Sequence, residues 1–260
     1  MIKKFLLAVL VVISGISFSV VPVGNPADFY VSGKAFGIGF LNYFGKDWLM
    51  AFDLYYLDNE NGMSGKLYLS TASETSLRLN VLGYQISGQG ESIDWGINTK
   101  INNFVTDSTS TYSVSFSIGV ISHVGRYLNV GVFVDDFFLY SQTPKDFFTT
   151  NAGVSISAGV DTFNLYGEAV LIRQQYVQIK AGAKLAFQNF SFGVFWTPEY
   201  VLSNGEMSQQ VSGYVVAKFG SLKMRFDAHY AFNELTTSLE LPINFELYTH
   251  GYKVTVEINF

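Results

Sequence analysis

The chain spreads a large apolar content without concentrating it. Of its 260 residues 48% are hydrophobic and only 14% are charged. Yet beyond Val23 no apolar run approaches the roughly 20 residues that a spanning helix requires. Apolar side chains recur instead at every second position. Tyr112, Val114, Phe116, Ile118 and Val120 share one face, and Ser113, Ser115, Ser117 and Gly119 share the other. A period of two is that of an extended strand, whose successive side chains point to opposite sides of a sheet. The same pattern returns along the chain, so what one strand implies is required of many: one face suits hydrocarbon and the other suits water.

Short turns keep those faces in phase. Only Asp161 and Thr162 separate Val160 from Phe163, so the apolar ends pair directly across a tight hairpin, setting Ser157 opposite Tyr166 and Ser155 opposite Glu168. Gln188 and Asn189 make the same kind of turn between Phe187 and Phe190, as do Gly220 and Ser221 between Phe219 and Leu222. A slip of one residue would invert every face, so agreement over several hairpins specifies the register. The segments number about 14, with 12 to 16 possible, and their lengths are near the roughly 9 to 11 residues of a tilted membrane strand. The first third is less regular. Connections at 44–46 and 72–74 are short, the polar stretch 58–65 reads as a long turn, and 239–247 alternates but reads as part of an outer loop.

The last ten residues, GYKVTVEINF, alternate in the same way and end on Phe260. This ending and the repeated hairpins resemble bacterial outer-membrane β-barrel proteins of the porin-like kind. The resemblance implies an all-β fold, a closed antiparallel transmembrane barrel, with the final strand pairing to the first (29–43) so that no open edge faces lipid. It also implies that Phe260 is the recognition signal for the outer-membrane barrel assembly machinery. Residues 1–19 have the form of an export signal, with Lys3 and Lys4 before an apolar run at 5–13, and with Ser17 and Ser19 at the cleavage spacing. Export would leave 20–260 as one barrel domain in the cell outer membrane. An uncleaved N-terminal anchor is the alternative reading of that segment.

Common catalytic and cofactor motifs are absent, and there is no Cys, so thiolate metal sites and disulfides are excluded and neither metal nor cofactor is expected. Of three histidines, His123 has no acidic neighbour in sequence and His250 lies near Glu246. His229 follows Lys223, Arg225 and Asp227 on one inward face, a row that reads equally as a charge filter or as a lumen salt-bridge network. Other inward residues are Asp53, Lys66, Arg78, Asp94, Lys100, Asp135, Glu168, Lys180, Lys184, Lys218, Lys253 and Glu257. The whole inward set has three more basic than acidic residues, although the chain carries a formal charge of −5.

Small inward side chains and a strand number well above eight favour an open lumen. The expected function is passive diffusion of small hydrophilic solutes, with a mild preference for anions. The alternatives are a structural or adhesive barrel whose lumen is plugged, for which 233–250 is the candidate plug, and, less favoured, an outer-membrane enzyme. Membrane lipid, the assembly machinery and small hydrophilic solutes are the expected partners. Without a basic stripe, nucleic acid is not. Oligomeric state is left open.

Overall fold

A computed structural model describes residues 25–29, 33–43, 50–60, 62–74, 77–142, 150–172, 176–233 and 250–260. The described residues contain β1 (Ala35–Tyr43), β2 (Met50–Glu60), β3 (Met63–Glu74), β4 (Leu77–Gly88), β5 (Ile93–Thr106), β6 (Ser110–Val124) and β7 (Leu128–Ser141). They continue with β8 (Asn151–Val160), β9 (Phe163–Ile172), β10 (Tyr176–Ala186), β11 (Phe190–Val201), β12 (Met207–Phe219), β13 (Leu222–Asn233) and β14 (His250–Asn259). Each strand pairs antiparallel with its neighbours in sequence, and β14 returns to β1. The ring is closed at 14 strands, so no edge is left unpaired.

Burial is inverted relative to a water-soluble domain. Along β5 the outward Ile93, Trp95, Ile97 and Ile101 are exposed, while the inward Asp94, Asn98, Lys100 and Asn102 are buried. Exposed apolar side chains on the outside and packed polar ones on the inside are what a hydrocarbon surround and a narrow aqueous lumen require. The expected hairpin registers are present, with Ser157 opposite Tyr166 and Ser155 opposite Glu168.

Three sequence expectations change. The stretch 58–65 is not a long turn: Asp58 pairs with Gly65, Asn59 with Ser64 and Glu60 with Met63, and Gly62 takes the positive φ of 78° that a tight hairpin needs. Arg78 does not face the lumen. Ser70, which is inward, pairs with Val81, so Leu79 and Val81 are buried inside and Arg78 and Asn80 turn outward. The first strand begins at Ala35 and not at residue 29, because residues 25–29 leave the wall and enter the lumen. The segments at 1–19 and 239–247, and all but the ends of 233–250, fall outside the described residues.

Candidate functional site

Two features divide the lumen. The first is the N-terminal stretch 25–29, which makes a single 3-10 turn over Pro26–Asp28. The Asn25 side chain caps this turn, accepting from the Ala27 amide at 3.0 Å. The Asn25 Nδ2 also donates to the carbonyls of Val120 at 3.1 Å and Val132 at 3.4 Å. Gln85 Nε2 donates to the Pro26 carbonyl at 3.0 Å, and the Ser87 hydroxyl donates to the Phe29 carbonyl. Phe29 then packs against Ala35 and Leu57 on β1 and β2. The stretch therefore runs from the β5–β7 wall toward the β1–β2 wall.

Glycines make room for it. A Cβ on Gly96 would lie 2.2 Å from the Pro26 carbonyl oxygen, and one on Gly119 would lie 1.9 Å from Asn25 Oδ1. The small inward residues that suggested an empty lumen in fact form a seat for the chain's own N-terminal stretch. Among the described residues the segment inside the lumen is 25–29, which in sequence reads as a lead into the first strand; the candidate plug at 233–250 lies, but for its ends, outside the described residues. Asn25, Pro26 and Ala27 carried a usable signal, since Asn before Pro marks a capped turn and not a strand.

The second feature is a cavity of about 530 Å³ beside this stretch. Asp28 and Phe29 line it from the segment; Lys180, Lys184 and Glu168 line it from β9 and β10; Tyr55, Lys66, Tyr68 and Arg225 also face it. Burial pushes the Asp28 carboxyl above its ordinary value, while Lys184 and Lys180 pull it the other way.

Each residue expected in the lumen can now be placed. Lys180, Lys184, Glu168, Asp135, Arg225 and Lys253 line the cavity. Lys253 Nζ pairs with Asp53 at 2.6 Å, Lys223 with Glu257 at 3.0 Å, and Arg225 with Asp227 at 2.6 Å. Glu257 also accepts the Tyr55 hydroxyl at 3.1 Å. The charged row on β13 is thus tied into ion pairs, and His229, half-buried, is set between Ser212 and Gly251 at the same level. Lys218 is exposed next to the turn at Gly220, opposite Lys223. Asp135 belongs to a separate buried cluster: Lys100, 2% exposed, reaches Asp135 at 3.1 Å and Asp136 at 2.9 Å. Asp136, at φ 53°, sits where the β6–β7 register shifts, which brings two successive carboxylates to one ammonium.

The charge surplus read from the sequence does not hold. Arg78 lies outside, whereas Asp28, Asp136 and the buried Glu199 are inside, and none of these three was assigned to the lumen. Nor is His123 without an acidic neighbour. Its Nε2 lies 3.1 Å from Asp94 Oδ2 and its Nδ1 lies 2.8 Å from Asn129 Oδ1. Both ring nitrogens are committed, so neither is left to activate a hydroxyl nucleophile. Phe260 is exposed at the end of the barrel, with its amide donating to the Lys34 carbonyl at 3.0 Å and its ring 6.4 Å from Tyr56.

No protein-family model matches this sequence, and no curated protein does. Solved structures do match. The CymD monoaromatic hydrocarbon channel aligns over 95% of this chain and 94% of its own, with a TM-score of 0.67 at 10% identity. A Pseudomonas aeruginosa FadL homologue aligns over 95% and 96%, with a TM-score of 0.59 at 8% identity. CdiB from Acinetobacter baumannii has a TM-score of 0.53 at 8% identity, over 88% of this chain and 60% of its own. At these identities the likeness is one of fold, and the fold is that of outer-membrane β-barrel proteins, channels among them.

Proposed function

We propose that the protein is an outer-membrane channel for small hydrophilic solutes, occluded at rest by its own residues 25–29. One observation carries this reading: an ionisable-lined cavity of about 530 Å³ lies in a closed membrane barrel next to a segment that is not part of the wall. A lumen meant to be permanently solid would be filled by side chains of the strands themselves. Here the segment is seated through a few hydrogen bonds and a pair of glycines, an arrangement that can be undone without breaking the barrel. The lining of lysines, carboxylates and tyrosine hydroxyls suits polar solutes, unlike the hydrocarbons named for CymD. In this reading solutes pass by passive diffusion through the aqueous part of the lumen.

The test is planar-bilayer recording of refolded protein spanning residues 20–260 beside a form beginning at residue 30. Small discrete current steps are expected from the first and clearly larger ones from the second. If neither form conducts, the barrel is closed and the structural or adhesive reading takes its place.

A further inference from the structure

Three cationic groups in the cavity stand over three neighbouring aromatic rings. Lys184 Nζ is 4.6 Å from the Tyr166 centroid, Lys180 Nζ is 5.0 Å from that of Phe195, and the Arg225 guanidinium is 4.3 Å from that of Tyr214. Phe195 lies 6.1 Å from both Tyr166 and Tyr214; it is near-parallel to Tyr214, at 26°, and edge-on to Tyr166, at 89°, so Phe195 and Tyr214 form a shelf that the Tyr166 ring flanks. The charges on this shelf are not equally satisfied. Arg225 holds Asp227 through both its Nε and Nη2. Lys180 and Lys184 have no carboxylate within ion-pair distance among the described residues.

The absence of a pair at Lys180 is not for want of a nearby acid. Glu168 is its direct cross-strand partner, but the Glu168 carboxylate takes the Tyr166 hydroxyl at 2.5 Å instead. Of the other acids on the cavity, Asp53 holds Lys253 and Asp135 holds Lys100, while Asp28 hangs from the N-terminal stretch. No hydrogen bond or ion pair reaches its carboxylate among the described residues. Two ammonium groups thus face a carboxylate that approaches without closing on them. An ammonium in a confined site is a strong partner for any carboxylate that can reach it.

We propose that Lys180 and Lys184 form a binding site for a small aromatic carboxylate. Its carboxylate takes the two ammonium groups, and its ring packs against the Tyr214 end of the shelf, the part that opens on the cavity. The heads lie over rings, so an anion held by them lies beside apolar faces. Phe195 is buried and Tyr214 half-buried, so an aromatic body packs against the open part of Tyr214, which a hydrated inorganic anion does not cover. The cavity of about 530 Å³ has room for such a molecule. Asp28 is its competitor, because both carboxylates draw on the same two charges. Occupancy therefore weakens the electrostatic hold on the segment that carries Asp28. The inference rests on the proposed channel only in that the ligand must be able to enter the lumen; holding it requires no passage.

Calorimetric titration of the refolded 20–260 protein in detergent, with benzoate as ligand and benzyl alcohol as its neutral counterpart, tests the site. Saturable benzoate binding is expected, with none for benzyl alcohol. The double variant Lys180→Gln with Lys184→Gln should weaken benzoate binding by about tenfold or more, as loss of a charged hydrogen-bond partner does. The matching pair of Lys→Arg changes should retain it, and Asp28→Asn should strengthen it. Equal binding of benzyl alcohol, unchanged binding in the double glutamine variant, or no benzoate binding by the unaltered protein would each overturn the site. Mobility on gels before and after heating reports folding. Asp28→Asn, which lies outside the wall, carries the test if the lysine variants do not fold. Bilayer recording separates the two readings: benzoate binding without conductance leaves the site and removes the channel, and conductance without benzoate binding does the reverse.

Discussion

The two sides of the lumen are built on opposite principles. The β5–β7 wall presents Gly96, Gly119, Ser113, Ser115 and Ser117, and the backbone of residues 25–29 comes within contact of its glycines. The β9–β13 wall presents Tyr166, Glu168, Lys180, Lys184, Phe195 and Arg225, and faces the segment across the cavity. Small residues remove the space a solute would use, and large charged residues hold it open. A barrel interior thus need not be a uniform tube: side-chain size on one wall decides where the chain itself sits, and charge on the other decides what is left for solutes.

The sharpest break between the walls is at Lys100. It is the one deeply buried cation of the β5–β7 side and holds Asp135 and Asp136 together. Lys100→Met leaves the buried Asp135 and the partly exposed Asp136 without their counter-charge and should cost about 3–5 kcal/mol, read as a fall in the urea midpoint for barrel unfolding. A result near zero would mean that water reaches the cluster and that the wall is looser than the structure has it.

A smaller effect, but one more specific to the comparison, is expected from Gly96→Val. The added carbons meet the Pro26 backbone, which cannot rotate away as a side chain would. The strain of about 1–3 kcal/mol should fall on the seat and not on the barrel. Protease cleavage near residue 25 should appear while the heat-resistant barrel band persists. Unchanged protection would show that the stretch is held mainly at its Phe29 end, against Ala35 and Leu57.

The least effect belongs to the rim of the charged wall. Lys223, a third exposed, pairs with the buried Glu257, which keeps the Tyr55 hydroxyl as a second partner when the ammonium is removed. Lys223→Gln should change stability by about 0–1 kcal/mol, and less still in high salt. A loss comparable to that at Lys100 would show that the rim is as dry as the buried cluster and would erase the contrast between the sides.

Most of the barrel was legible because alternation is a local property. The hairpins at 161–162, 188–189 and 220–221 state their own register, and the final strand ends where the closure with Ala35–Tyr43 requires. The misread places share a cause. At Arg78 and Asn80 both faces of β4 carry apolar residues, so alternation alone could not say which side was inside, and only pairing to Ser70 and Thr71 does so. At 58–65 the polar composition of a strand end resembles that of a loop. His123 meets Asp94 across β5 and β6, a contact between residues far apart in sequence.

The sequence by itself determined an all-β chain of alternating strands and, along it, which residues share a face, so that Lys180 and Lys184, or Lys223, Arg225 and Asp227, fall on one side, because each follows from a period of two carried through tight turns. The ring closed at 14 strands came with the structure. The tertiary structure decided what fills the interior. Gly96 and Gly119 read in sequence as empty space, and only their approach to Pro26 and Asn25 shows that space to be occupied. Which charges are matched was likewise beyond the sequence. Ion pairing depends on distances of a few ångströms between strands, and these are set by the ring as a whole and not by any one strand.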